Sequence, residues 1–157
     1  MPDVEIVDLP ALRVGVLQGY LVQAMETWQR FGELVDHTNI DNEPGVARAA
    51  ILPSDVIRGQ VSGPPDRVPY NAALVAPAGI ALPAGLTEDS VPAGRYARMR
   101  YVGPYEGLAG AWREFTQDWL PTSGHTVGNG VCFEVYHDRP DTVADAQYRT
   151  DLHIPMA

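Results

Sequence analysis

Lysine is absent from this 157-residue chain: all 11 basic residues are arginine, against 20 acidic ones, for a formal net charge of -9. Binding to phosphate backbones needs clustered positive charge, so this balance argues against a nucleic-acid partner. A negative field favours cationic ligands, although excess acid also serves solubility alone. With Cys132 the lone cysteine, no internal disulfide can form, and a reducing compartment is expected. The start, Met-Pro-Asp-Val-Glu, lacks the basic and apolar segments of a signal peptide, and no apolar run approaches the ~20 residues that span a bilayer. The expectation is a cytoplasmic protein with no membrane partner, and the Arg- and Ala-rich, Lys-free usage suggests a high-GC bacterial genome. No phosphate-cradling glycine motif follows a strand, and Gly59 to Pro65 lacks the lysine of a P-loop. His37, His125, His137 and His153 do not make a zinc-ligand spacing with Cys132, so neither metal nor cofactor is expected.

What the chain does have is 45% hydrophobic residues in a length suited to one core. Val4 to Leu17 reads as strand, broken at Pro10. From Tyr20 to Val35 the period becomes helical, with Leu21, Ala24, Met25, Trp28, Phe31 and Val35 on one face. Strands are expected at Val46 to Leu52 and Tyr70 to Val75, separated by a turn at Pro53 and a connection over Gly59 to Pro69. Ala76 to Asp89 reads as a linker with a short strand at Ile80 to Leu82. The pattern then restarts with a strand from Tyr96 to Val102. Gly103-Pro104 opens a helix whose stripe is Leu108, Ala111, Trp112, Phe115 and Trp119, and Pro121 stops it. A turn at Gly128 to Gly130, a strand from Val131 to Tyr136, a loop at Pro140 and a strand from Tyr148 to Ile154 complete the chain. One α+β domain is therefore expected over residues 1–157, built from a duplicated strand-helix-strand-strand unit (repeat one about 1–76, linker about 77–90, repeat two about 91–157). In that alignment Tyr20 and Tyr105 begin equivalent helices, and Ala49 lies opposite Glu134.

The segments "VPAGRYARMRYVGPYEGLAGAW", "WLPTSG", "FEVYHDRP" and "TDLHIPM" together resemble the GyrI-like family of small-molecule-binding domains, which includes effector-binding domains of multidrug-responsive and AraC-type regulators. The resemblance is close in the second half and one of pattern in the first. It implies a pseudo-twofold arrangement of antiparallel sheets around a central cleft, helices on the outer faces, and a buried glutamate at Glu134 that meets the positive charge of a hydrophobic ligand. A role in drug or toxin sensing, sequestration or detoxification follows from it.

Strand alternation sets Val131, Phe133 and Val135 on one face, expected to pack under the helix, and Cys132, Glu134 and Tyr136 on the other, toward the cleft. It also separates Cys132 from His137, against a nucleophilic pair. A carboxylate in an apolar cleft either takes up a proton or is neutralised by a cation, whereas a solvated Glu134 would simply pair with an arginine. Tyr136 offers an aromatic wall and a hydroxyl. His153, where the family commonly has tyrosine, either makes the cleft pH-responsive near neutrality or is an exposed residue. Trp28, Trp112 and Trp119 suit either cation-π contact or core. Tyr20 and Tyr105 are candidate lining residues at the cleft mouth. Arg98, where the family has an apolar residue, would blunt a preference for cations if it paired with Glu134. The resemblance also implies an alternative to binding, because some GyrI-like proteins hydrolyse reactive cyclopropane-containing electrophiles: Glu134 would then be the general base and Tyr136 would polarise the substrate.

Overall fold

A computed structural model describes residues 3–58, 65–139 and 142–157. Most of the expected connection before Pro69, and the loop residue Pro140, lie outside these. The strands are β1 (Val4–Leu9), β2 (Leu12–Tyr20), β3 (Ala47–Pro53), β4 (Pro69–Val75), β5 (Thr87–Val91), β6 (Gly94–Val102), β7 (Val131–Tyr136) and β8 (Arg149–Pro155). They form one antiparallel sheet, in the order β1-β6-β8-β7-β3-β4-β2-β5, rather than two.

The order reads alike from either end once β1 is exchanged with β5, β2 with β6, β3 with β7 and β4 with β8. The register obeys the same exchange. Ala50 faces Glu134 across the central β3-β7 pair; Ala50 is next paired with Ala72 and Ala72 with Leu17, as Glu134 is paired with Leu152 and Leu152 with Met99. The counterpart of Glu134 is thus Ala50, not Ala49, and Ala50 stands as far along the chain from Phe31 as Glu134 does from Phe115.

Eight flat strands would hold the sheet's edges about 34 Å apart. Yet Val7 and Leu9 of β1 and Val91 of β5 join one apolar cluster with Val16, Ala73, Tyr96 and Phe133, and among the described residues no helical one enters it. The sheet therefore curls toward the Phe133 face into a half-barrel. Helix α1 (Ala24–Val35) packs on the opposite face through Phe31 and Val35 against Ala72 and Leu74. A second helix packs there through Ala111 and Phe115 against Ala97, Leu152 and Ile154.

Four local expectations are corrected. Helix α1 is preceded by a 3-10 turn at Leu21–Gln23, and Met25 is 85% exposed, while Thr27 is buried against the gap left by Gly19. Residues Ile80 to Leu82 form no strand: Leu82 lies over Gly15, and Arg13 Nη1 donates to the carbonyls of Pro77 and Ile80. The strand in that region is β5, whose sequence Thr-Glu-Asp-Ser-Val has one apolar residue because it is a charged edge strand with little to bury. A four-residue helix, α2 (Asp55–Arg58), stands where only a turn was expected. The second main helix, α3 (Leu108–Arg113), widens into a π-helical stretch at Glu114–Trp119. No helix among the described residues is long and apolar enough to cross a membrane.

Candidate functional site

The central strands set the site's floor. Glu134 is paired with Leu152 on one side and Ala50 on the other, so its side chain stands on the face that carries α1 and α3. The alternation separates Glu134 and Tyr136 from Phe133, as expected. The face that bears the helices is nevertheless Glu134's, not Phe133's, because curling of the sheet gives Phe133 a core with no need of helical residues. Glu134 occupies the seam between the helices.

Glu134 is only 7% exposed. Oε2 accepts a hydrogen bond from the Trp112 indole at 2.9 Å, and Oε1 accepts one from the Tyr136 hydroxyl at 2.6 Å. Both donors are neutral, and among the described residues the carboxylate has no ion pair. Burial pushes its pKa above the ordinary value of 4.5, outweighing the two hydrogen bonds that favour the charged form. Other acids near strand ends are handled differently: Asp151 is held by Arg100 and His137, and Asp138 by Arg149. The ordinary partner of a buried carboxylate is missing at Glu134 alone of these three.

Aromatic rings wall the carboxylate. Trp28 of α1 stands edge-on to Tyr136 at 5.8 Å, and its indole donates to the Tyr70 hydroxyl at 2.6 Å. Tyr105 stands edge-on to Tyr136 at 5.5 Å and stacks on Tyr148 at 5.0 Å. Burial, then the neighbouring Glu134 and Tyr70, hold the Tyr136 phenol well above its ordinary pKa. The structure thus gathers Glu134, Tyr136, Trp28, Trp112 and Tyr105, and adds Tyr70 and Tyr148. These two went unnoticed in the sequence, although laying β4 over β8 places Tyr70 at the position of Thr150 on the floor.

The remaining candidates lie elsewhere. Tyr20 is 42% exposed at the end of β2 and makes no ring contact with this set among the described residues; its counterpart in the register is Val102, not Tyr105. Trp119 packs on Phe115 and His125. His153 is paired with Phe133 and so faces the other side of the sheet. It stacks on the Phe133 ring at 4.1 Å, and burial pushes its pKa down from 6.5 to about 4. An imidazole so packed stays neutral near pH 7, and neither the pH-responsive cleft residue nor the exposed one is what the fold provides. Arg98, opposite His153, also faces away from Glu134 and pairs with Glu5 at 2.9 Å. Cys132 is buried with its thiol pushed up to about 12, which leaves it protonated and a poor nucleophile.

Two open cavities lie apart from the carboxylate, one of about 390 Å³ beside Ile40 and Leu82, the other of about 300 Å³ between β6 and the start of α3.

The chain is similar to several known proteins. A DNA gyrase inhibitor of Erwinia billingiae is 34% identical over 68 residues, which are 43% of this chain and 42% of the relative, so the match spans less than half of that protein's length. The C-terminal domain of EcmrR superposes with a TM-score of 0.71 at 16% identity, covering 100% of this chain and 98% of that one. SAV2435 bound to tetraphenylphosphonium superposes with a TM-score of 0.69 at 17% identity, covering 99% and 94%. At these identities the structural likeness is one of fold. A family model matches residues 2–157 throughout, and the chain belongs to the family of GyrI-like small molecule binding domains.

Proposed function

We propose that this domain senses or sequesters a hydrophobic cation, held between α1 and α3 with Glu134 as its counter-ion. The observation that carries this reading is the buried carboxylate whose partners, Trp112 and Tyr136, supply hydrogen bonds but no positive charge. Moving a cation into this seam neutralises the carboxylate where water cannot, and the faces of Trp28, Trp112, Tyr105 and Tyr136 offer cation-π contact. One of the similar structures holds tetraphenylphosphonium, a cation of this kind.

The test is Glu134→Gln, which keeps shape and removes charge. Affinity for tetraphenylphosphonium, measured by calorimetry, should fall by a factor of about 30 or more, the cost of leaving a buried cation unpaired. Affinity for a neutral aromatic probe of similar size should change little. Equal losses on both probes would sink the reading.

A raised proton affinity also makes Glu134 a better general base, which is the one observation favouring hydrolysis. Incubation with a cyclopropane-containing electrophile separates the two: consumption beyond one equivalent per protein means turnover, and a single equivalent means binding.

A further inference from the structure

Thr150 is fully buried on β8, and its hydroxyl is the buried side-chain polar atom left without a hydrogen-bond partner among the described residues. Its position in the register explains why. Thr150 is paired with Tyr136 on one side and Tyr101 on the other, so it stands on the same face as Glu134, one diagonal step away. Such a step is about 7–8 Å. Tyr136 commits its hydroxyl to Glu134, and Tyr101 commits its own to the Pro104 carbonyl at 2.7 Å. The counterpart of Thr150 in the first half is Tyr70, two residues before Ala72 as Thr150 is two before Leu152. Tyr70 receives the indole N-H of Trp28. The matching indole in the second half, Trp112, is spent on Glu134, and Thr150 is left with nothing. Tyr105 stacks on Tyr148 and stands edge-on to Tyr136, the cross-strand partner of Thr150.

A buried hydroxyl without a partner is a net cost to the fold, and valine would fill the same space without that cost. We propose that the Thr150 hydroxyl is a second polar anchor of the cleft, and that the ligand is a hydrophobic cation carrying an amine, amide or hydroxyl group one diagonal step from its charged centre. This rests on the counter-ion role of Glu134. It narrows the ligand class from any lipophilic cation to bifunctional ones: charge at Glu134, hydrogen bond at Thr150.

Two probes separate the anchors. Ethidium is a planar cation with aromatic amines, and tetraphenylphosphonium has no hydrogen-bonding group. Thr150→Val should weaken ethidium about 5- to 30-fold, the loss of one buried hydrogen bond, and leave tetraphenylphosphonium within about twofold. Thr150→Ser, which keeps the hydroxyl, should restore ethidium binding. Thermal unfolding of Thr150→Val should be unchanged or shifted upward, which distinguishes a ligand anchor from a residue that holds the fold. If both probes bind the parent protein and Thr150→Val spares both, or weakens both alike, the anchor is overturned while the role of Glu134 stands. If neither probe binds the parent protein, the counter-ion reading itself falls, and the anchor with it.

Discussion

The two halves of the sheet share strand order and register, yet they use their polar groups differently. In the first half the floor carries Ala50 and Tyr70, and the Trp28 indole is matched to a phenol. In the second half the same positions carry Glu134 and Thr150, and the Trp112 indole is matched to a carboxylate. The first arrangement is neutral and closed on itself. Among the described residues, the second has a carboxylate without a counter-charge and a hydroxyl without a partner. Two side chains on the floor, rather than any difference in topology, distinguish the halves.

The most drastic way to break this comparison is to make the halves alike. Ala50 is fully buried and directly opposite Glu134, so Ala50→Glu would set two carboxylates face to face in the seam. A loss of stability of more than about 3 kcal/mol is expected at neutral pH, from overpacking and from like charges that cannot both ionise. Ala50→Gln carries the same bulk without the charge and should cost less. Urea denaturation should show the gap between the two variants narrowing in mild acid, where carboxylates gain protons; a gap indifferent to pH would mean that bulk alone decides.

A gentler change sharpens the same contrast. Because the pKa of Glu134 is raised in the folded protein, the native state holds this proton more tightly than the unfolded chain does. Stability must then fall as pH rises from the ordinary carboxylate value of 4.5 through the raised folded value. Glu134→Gln should remove that decline and leave the variant at least as stable as the parent at neutral pH, even as it loses the cation. Binding of tetraphenylphosphonium should release a proton and strengthen with rising pH across the same window. A parent protein whose stability rises with pH there, after other carboxylates are accounted for by the variant, would contradict a desolvated Glu134.

How much of this could be read beforehand depends on what each residue's signal was. Phe31, Val35, Ala111 and Phe115 lie on helical stripes, and burial of a stripe is what the 3.6-residue period reports, so both helices were legible. That Glu134 and Tyr136 share one face was legible from strand alternation. The face itself was not, because alternation says which residues go together but not which side a helix will choose. His153 was misplaced for that reason: only the β7-β8 register reveals that it stands with Phe133 rather than Glu134. Edge strand β5 was illegible because its Thr-Glu-Asp-Ser sequence buries almost nothing. Tyr70 was missed since a tyrosine at the head of an apolar strand looks like core until its hydroxyl is traced to Trp28.

The smallest expected effect compares the two indoles directly. Trp28 packs edge-on to Phe31 and Trp112 stacks on Phe115, so replacing either by phenylalanine removes a similar aromatic area together with one N-H donor. The donors differ in what they leave behind. Trp28→Phe strips a neutral bond from Tyr70, worth about 0.5–1.5 kcal/mol, and the phenol keeps Tyr136 as a neighbour. Trp112→Phe strips a bond from a carboxylate, worth about 1.5–3 kcal/mol while Glu134 is ionised and less once it is protonated. The cost of Trp112→Phe should therefore exceed that of Trp28→Phe at high pH and approach it in mild acid. Removing this donor should also raise the pKa of Glu134 further, moving the pH at which tetraphenylphosphonium binds half-maximally upward, whereas Trp28→Phe should leave that midpoint nearly in place. Equal shifts in the two variants would mean that the indoles act only as walls, and that the polar difference between the halves lies in Glu134 itself.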